Sequence, residues 1–120
     1  MIGKVDDRNW ALVEIEVRKT PSSPAASLTA WIDTAFDGHL VFPRSLIERL
    51  ELESLVGTEA ILADGRKITL ETFICDLTWF GTVIPLQVIA SEATLPLLGT
   101  GLLDKHVLHI DYLNKRLDLD

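Results

Sequence analysis

From Trp10 to Arg18 the chain alternates, with Val13, Ile15 and Val17 on one face and Glu14 and Glu16 on the other. That period of two predicts a half-buried strand. Thr20-Pro21-Ser22-Ser23-Pro24-Ala25-Ala26 breaks the alternation, and its prolines bar it from a central strand, so it predicts a loop. Ser27 to Ile32 predicts a short strand running into Asp33. Asp37-Gly38 predicts a turn, and His39-Leu40-Val41-Phe42 a further extended piece. Pro43 predicts a helix start, because its missing N–H and fixed φ suit the first turn. Leu46, Ile47, Leu50 and Leu52 give that helix its inward side, and Arg44, Glu48 and Arg49 its wet side.

The second half is strand-dominated. Glu59-Ala60-Ile61-Leu62-Ala63 runs into Asp64-Gly65, a hairpin signal because Gly tolerates positive φ. Lys67 to Trp79 continues with β-branched and aromatic residues, Phe80-Gly81-Thr82 turns, and Val83 to Ala90 returns. Pro85 marks an edge or a bulge there. Leu95-Pro96-Leu97-Leu98-Gly99 is a tight apolar stretch, and Gly101 to Asp104 predicts one helical turn. Val107 to Tyr112 alternates again, Asn114-Lys115 turns, and Arg116 to Asp120 predicts a last strand. Many short strands with one helix point to a small closed β architecture. No linker divides the sequence, so residues 1–120 are expected to form one domain. There is also an internal echo. Ala30 to Ala35 and Leu97 to Gly101 each run from an apolar strand through small residues toward a helix, as in a duplicated half-unit.

Composition narrows the classes. At 120 residues the chain can bury roughly two-thirds of its unfolded surface, enough for a core without staples. Eleven Lys and Arg against 18 Asp and Glu leave a formal charge of -7, which argues against nucleic acid as a partner. The basic pairs Arg66-Lys67 and Lys115-Arg116 are scattered. Cys75 stands alone, so neither an intrachain disulfide nor a thiolate metal cluster is available. Asp6, Asp7 and Arg8 interrupt the place where a signal peptide needs its apolar core. No run approaches the roughly 18 apolar residues of a membrane span. A soluble, cytoplasmic protein with no membrane partner is expected.

Asp33 is the residue that asks for an account. It follows an apolar strand directly, and an ionisable group at a strand's buried end is costly unless partnered. One reading is a carboxylate capping its own turn, as Asp commonly does. The residues around it point further. Trp31-Ile32-Asp33-Thr34-Ala35-Phe36 resembles the active-site signature of the retropepsin-like aspartic proteases: two apolar residues, Asp, Thr or Ser, Gly, then a small or apolar residue. Leu97-Leu98-Gly99-Thr100-Gly101-Leu102-Leu103 resembles their second signature, apolar residues and a Gly ahead of a short helix. Leu62-Ala63-Asp64-Gly65-Arg66 falls where such proteins place a flap hairpin. The arrangement is similar to the small bacterial and archaeal members, in which Phe often follows the triplet, and it covers roughly Val13 to Tyr112.

The resemblance implies a mainly β fold, a small closed acid-protease barrel with one short helix after the Asp33 loop and a helical turn after Gly99. It implies an endopeptidase acting on peptide or protein substrates as a homodimer, each chain supplying half the site, with no metal and no cofactor. Asp33 and its symmetry mate would share one proton, because two carboxyls so close cannot both ionise. One acts as general base on a bound water while the other donates to the scissile carbonyl. Thr34 matches the residue whose hydroxyl reaches across the two-fold axis. Leu98 and Gly99 carry the second signature. Asp64 and Gly65 at the hairpin tip would lie over the cleft, where an extended peptide can add as a strand. Asp37 falls where some retroviral members bind substrate main chain. Their partner Arg is Thr100 here, which leaves Asp37 as the first residue of an Asp-Gly turn.

Ala35 departs from the pattern. Members keep Gly at this place, where the backbone runs close to the carboxyls. Misplacing a reacting group by ~1 Å can cost on the order of a hundredfold in rate. The alternative reading is therefore a catalytically impaired module of the same fold that dimerises or binds peptides. His39, His106 and His109 make no metal set, since His106 and His109 are three apart in a segment read as strand. Cys75 reads as a buried thiol. Trp10, Trp31 and Trp79 read as core. Gly99-Thr100-Gly101 lacks the Lys and the spacing of a phosphate loop.

Overall fold

The computed structural model of the chain describes residues 1–55, 58–61 and 63–120, the side chains of 58–60, 68 and 69 excepted. In chain order the strands are β1 (Ile2–Val5), β2 (Ala11–Arg18), β3 (Ala26–Ile32), β4 (Leu40–Pro43), β5 (Glu53–Ser54), β6 (Thr58–Ile61), β7 (Lys67–Leu70), β8 (Thr72–Trp79), β9 (Thr82–Ser91), β10 (Leu97–Leu98), β11 (Leu108–Asp111) and β12 (Arg116–Leu119). Helix α1 (Arg44–Leu50) follows β4, and α2 (Thr100–Leu103) follows β10. Half of the residues lie in strands and a tenth in helices, so the fold is mainly β.

Six strands close on themselves. β2 pairs antiparallel with β3, β3 parallel with β10, β10 antiparallel with β4, β4 parallel with β9, and β9 antiparallel with β8. The β8–β2 pairing, Glu16↔Thr78 to Arg18↔Asp76, shuts the ring. Alternation puts Val13, Ile15 and Val17 of β2 inside with Ala30, Ile32, Leu40, Phe42, Leu77, Val88 and Leu98. Glu14 is exposed on the other face of β2 and accepts the Thr29 hydroxyl. Pro85 sits in β9 opposite Asp76, beyond the stretch Val88–Ser91 that pairs with β4, so its missing N–H removes no ladder bond on that side.

Helix α1 begins one residue later than the sequence indicates. Pro43 has the fitting φ of -55° but an extended ψ of 142°, so it ends β4 and caps the helix. Leu46 and Ile47 face the core. Glu51 turns left-handed at φ 54°, and Leu52 donates its N–H to the Ile47 carbonyl at 3.2 Å, closing the C-terminus without glycine. Lys67 to Trp79 is two strands rather than one. β7 joins β6 in a separate two-stranded hairpin, and β8 joins the barrel. Leu62, which belongs to that predicted hairpin, lies outside the described residues.

The sequence reading contains no β1. This strand pairs with β12 (Ile2↔Asp118 to Lys4↔Arg116) and with β2, and β11 then forms the outer edge of the resulting extension. Leu117 and Leu119 seal its inner face against the barrel. Cys75 is wholly buried inside β8. Burial, and then the neighbouring Asp76 carboxylate, push its thiol up to about 12, so it is inert at neutral pH. Among the described residues no helix is long and apolar enough to cross a membrane.

Candidate active site

β3 and β10 run side by side, Leu97 opposite Trp31 and Leu98 opposite Ile32. The pairing continues one residue past the strand, where Asp33 donates its N–H to the Leu98 carbonyl at 2.9 Å. The chain then reverses, and Phe36 donates its N–H to the Asp33 carbonyl at 3.2 Å. Within that turn Ala35 donates its N–H to Asp33 Oδ1 at 3.0 Å, fixing the carboxyl's orientation. The other oxygen, Oδ2, has no hydrogen bond among the described residues. Asp33 is half-buried and lines a cavity of about 330 Å³ with Trp31, Ile32, Thr34, Ala35 and Leu97. The turn-capping reading of Asp33 thus holds for one oxygen, while the residue still lines a cavity.

The loop after Asp33 is fastened to the second motif. Thr100 donates both its N–H (2.8 Å) and its hydroxyl (3.2 Å) to the Phe36 carbonyl. Gly99 donates to the His39 carbonyl at 2.9 Å, and Gly101 to the Gly38 carbonyl at 3.0 Å. The approach is close enough that a Cβ on Gly99 would stand 2.3 Å from the Gly38 carbonyl oxygen and 2.5 Å from Phe36 Cδ2. Phe36 and Gly38 therefore belong to the same unit as Gly99: the phenyl ring fills the space that these two glycines leave. Sequence reasoning left Gly38 and Thr100 without a site role. The signal that could have found Gly38 is a glycine two residues after the aromatic Phe36, whereas Thr100 lies 64 positions from Phe36 and carries no local signal.

Ala35 lies outside the left-handed region and is exposed, so its methyl meets no backbone strain within the chain. Thr34 is exposed, and its hydroxyl has no partner among the described residues. Asp37 is exposed beside Thr100 and Gly101 on a shallow depression separate from the Asp33 cavity, and it has no ion pair among the described residues. Asp64 and Gly65 form the tip between β6 and β7. Gly65 takes φ +87°, and Asp64 accepts from Arg66 N–H at 3.0 Å and Arg66 Nε at 2.6 Å. The described lining of the Asp33 cavity contains no residue of this tip.

The tryptophans divide. Trp79 is buried, as read. Trp10 and Trp31 are half-buried rather than core, and they stack at 4.0 Å with 12° between planes. The Arg8 guanidinium covers Trp10 at 3.5 Å and is held by Asp6 at 2.8 and 3.0 Å. One edge of the cavity is therefore an aromatic wall braced from behind. His106 precedes β11 instead of lying in it, and it stacks on Phe80 at 4.5 Å, while His109 is exposed on the strand.

No family model matches the sequence, and no curated protein matches it. Solved structures do. A retropepsin-like aspartic protease from Rickettsia conorii superimposes with a TM-score of 0.67 at 12% identity, over 99% of this chain and 88% of that one. The EIAV protease, solved with the inhibitor HBY-793, superimposes with a TM-score of 0.59 at 16% identity, over 83% of this chain and 90% of that one. The closed six-stranded barrel, the Asp33 turn bonded to β10 and the glycine contact at Gly99 thus sit in a chain whose fold is that of the retropepsin-like aspartic proteases.

Proposed function

We propose that the chain, acting as one unit over residues 1–120, is half of an aspartic endopeptidase that works as a homodimer. The observation that carries this is Asp33, lining a cavity with its carboxyl oriented by Ala35 N–H and its Oδ2 without a hydrogen bond among the described residues, in a retropepsin fold. With a second Asp33 across a two-fold axis, one carboxyl is ionised and the other protonated. The ionised one takes a proton from water as it attacks the peptide carbonyl, and the protonated one donates to the carbonyl oxygen. Thr34, exposed and with no hydroxyl partner among the described residues, is assigned here to bond the other protomer's main chain. The Asp64–Gly65 hairpin closes over an extended peptide. A reducing, cytoplasmic setting accords with the lone buried thiol of Cys75.

The association surface has support in the extension. Among the described residues β11 is an edge strand, flanked by Val107, Tyr112 and Leu113, which are 68%, 52% and 89% exposed. Two chains of charge -7 repel, so the dimer is weak at low salt and tightens as carboxylates protonate. Sedimentation equilibrium from pH 5 to 8 is expected to show twice the chain mass at the acid end, with dissociation toward pH 8. A monomer at every pH, salt and concentration would retire the shared-site mechanism.

Ala35 favours a second reading, a peptide-binding module of the same fold. Because Ala35 has ordinary φ and already supplies its N–H to Asp33, Ala35→Gly is expected to keep kcat/KM within a few-fold. It should also lower stability by about 0.4–1 kcal/mol through unfolded-chain entropy. Paired peptide-cleavage assays and urea melts check both. A large rise from negligible activity would make the methyl an obstruction at the two-fold axis and establish the second reading.

A further inference from the structure

Helix α1 borders two cavities that meet at Arg49. One, about 240 Å³, is lined by Arg18, Lys19, Arg49 and Glu51 beside the Ser23-Pro24 loop. The other, about 330 Å³, has a mixed lining, with Leu28, Leu46, Leu95 and Pro96 beside the hydroxyl residues Thr29 and Thr94. Neither shares a lining residue with the Asp33 cavity.

The charge here runs against that of the chain. Eleven cations face 18 carboxylates overall, yet three of the cations converge on this one groove. Arg8, Arg44 and Arg66 are each paired with a carboxylate elsewhere, whereas Lys19 and Arg49 have no ion pair among the described residues. Arg18 is held in place: Nη2 donates to Glu16 Oε1 at 2.7 Å and Nη1 to the Ser23 carbonyl at 3.1 Å. Its Nε is the one buried side-chain nitrogen or oxygen without a partner among the described residues. The opposite wall is fixed too, by Ser23 N–H to the Thr20 carbonyl at 3.0 Å and by a 2.6 Å bond between the two hydroxyls. Glu16 is bonded to Arg18, Asp76 stands opposite Arg18 across the β2–β8 pairing and Glu51 lines the recess, so Lys19 and Arg49 are the cations left to meet a ligand, beside a second recess of mixed lining.

We propose that this groove docks an extended peptide segment of another protein in which acidic and apolar residues alternate. Its carboxylate sits among Arg18, Lys19 and Arg49, and its apolar side chain sits against Leu28, Leu46 and Leu95. A carboxylate suits the fixed guanidinium because a planar fork loses little freedom on binding an oxyanion. Side chains two apart on an extended segment project to one side with a spacing of roughly 7 Å, and the two recesses adjoin through the shared lining residue Arg49. The inference goes beyond the proteolytic reading and does not rest on it.

The test uses the full chain carrying Asp33→Asn, so that cleavage plays no part, and a fluorescein-labelled decapeptide of alternating Glu and Leu followed by anisotropy. Saturable binding is expected, weakened tenfold or more by Arg49→Glu and similarly when the probe alternates Gln and Leu. Amide resonances of Lys19, Leu46 and Arg49 should shift on titration while those of Thr34 and Ala35 stay. The probe series needs no groove variant, so it stands even if Arg49→Glu misfolds. Absence of binding, equal affinity for the Gln–Leu probe, or shifts confined to the Asp33 loop overturns the proposal. Inorganic phosphate that binds as tightly as the Glu–Leu probe would make this a simple anion site and also overturn it.

Discussion

Asp33→Asn is expected to leave the protein folded and to lower peptide hydrolysis by about a thousandfold or more, the scale of losing general acid–base catalysis. The fold should survive because an Asn oxygen can still accept the Ala35 N–H that now bonds Oδ1 at 3.0 Å. The Asp33 N–H to Leu98 carbonyl bond belongs to the backbone and is untouched. Chemistry should not survive, since the amide neither takes a proton from water nor shares one with its symmetry mate. Mass spectrometry of an unfolded polypeptide incubated at pH 4 to 7 reads the effect, with thermal melts as the folding control. A dimer with one substituted protomer should be as inactive as the doubly substituted one, because the two chains share a single site. Cleavage undiminished by the substitution would remove Asp33 from the mechanism.

The second large effect is structural. Gly99→Ala is expected to cost about 3 kcal/mol, the upper range for forcing a methyl into a filled site. The new Cβ would meet the Gly38 carbonyl oxygen at 2.3 Å and the Phe36 carbonyl oxygen at 2.7 Å, and backbone atoms cannot rotate away. Relief requires separating the 36–39 loop from the 98–101 segment, which breaks the bonds made by Gly99, Thr100 and Gly101. Asp33 hangs from the same segment through Leu98, so activity should fall with stability. Gly65→Ala is the control: its Cβ would have open space, and only the φ of +87° is unfavourable, so about 1 kcal/mol is expected. Urea titrations of the three proteins decide. Gly99→Ala within 0.5 kcal/mol of the parent, the ordinary spread for an unremarkable site, would mean the contact is softer than its geometry implies.

How far the sequence could be read follows from the range of each interaction. β2 shows itself through Val13, Ile15 and Val17 because alternation is local and one face is wet. β1 is invisible, since four residues containing Gly3 and Lys4 carry no period. Its partner β12 lies at the far end of the chain, and only that pairing makes Ile2–Val5 a strand. The break between β7 and β8 is hidden for a similar reason: apolar and β-branched residues run through it, and separate pairing partners divide it.

Residue order alone settled that Asp33 closes an apolar strand, that a small-residue motif recurs at Gly99, and that hairpin chemistry lies at Asp64-Gly65 between them. These are properties of neighbours within a few positions. Folding in three dimensions decided that Leu97-Leu98 lies parallel to Trp31-Ile32, that Phe36 wedges between Gly38 and Gly99, and that Trp31 stacks on Trp10 at the cavity wall. It likewise drew Arg18, Lys19 and Arg49 into one groove. Such contacts join residues tens of positions apart. Their free energy comes from area excluded from water and from bonds between strand partners, and neither is encoded by any short stretch of chain.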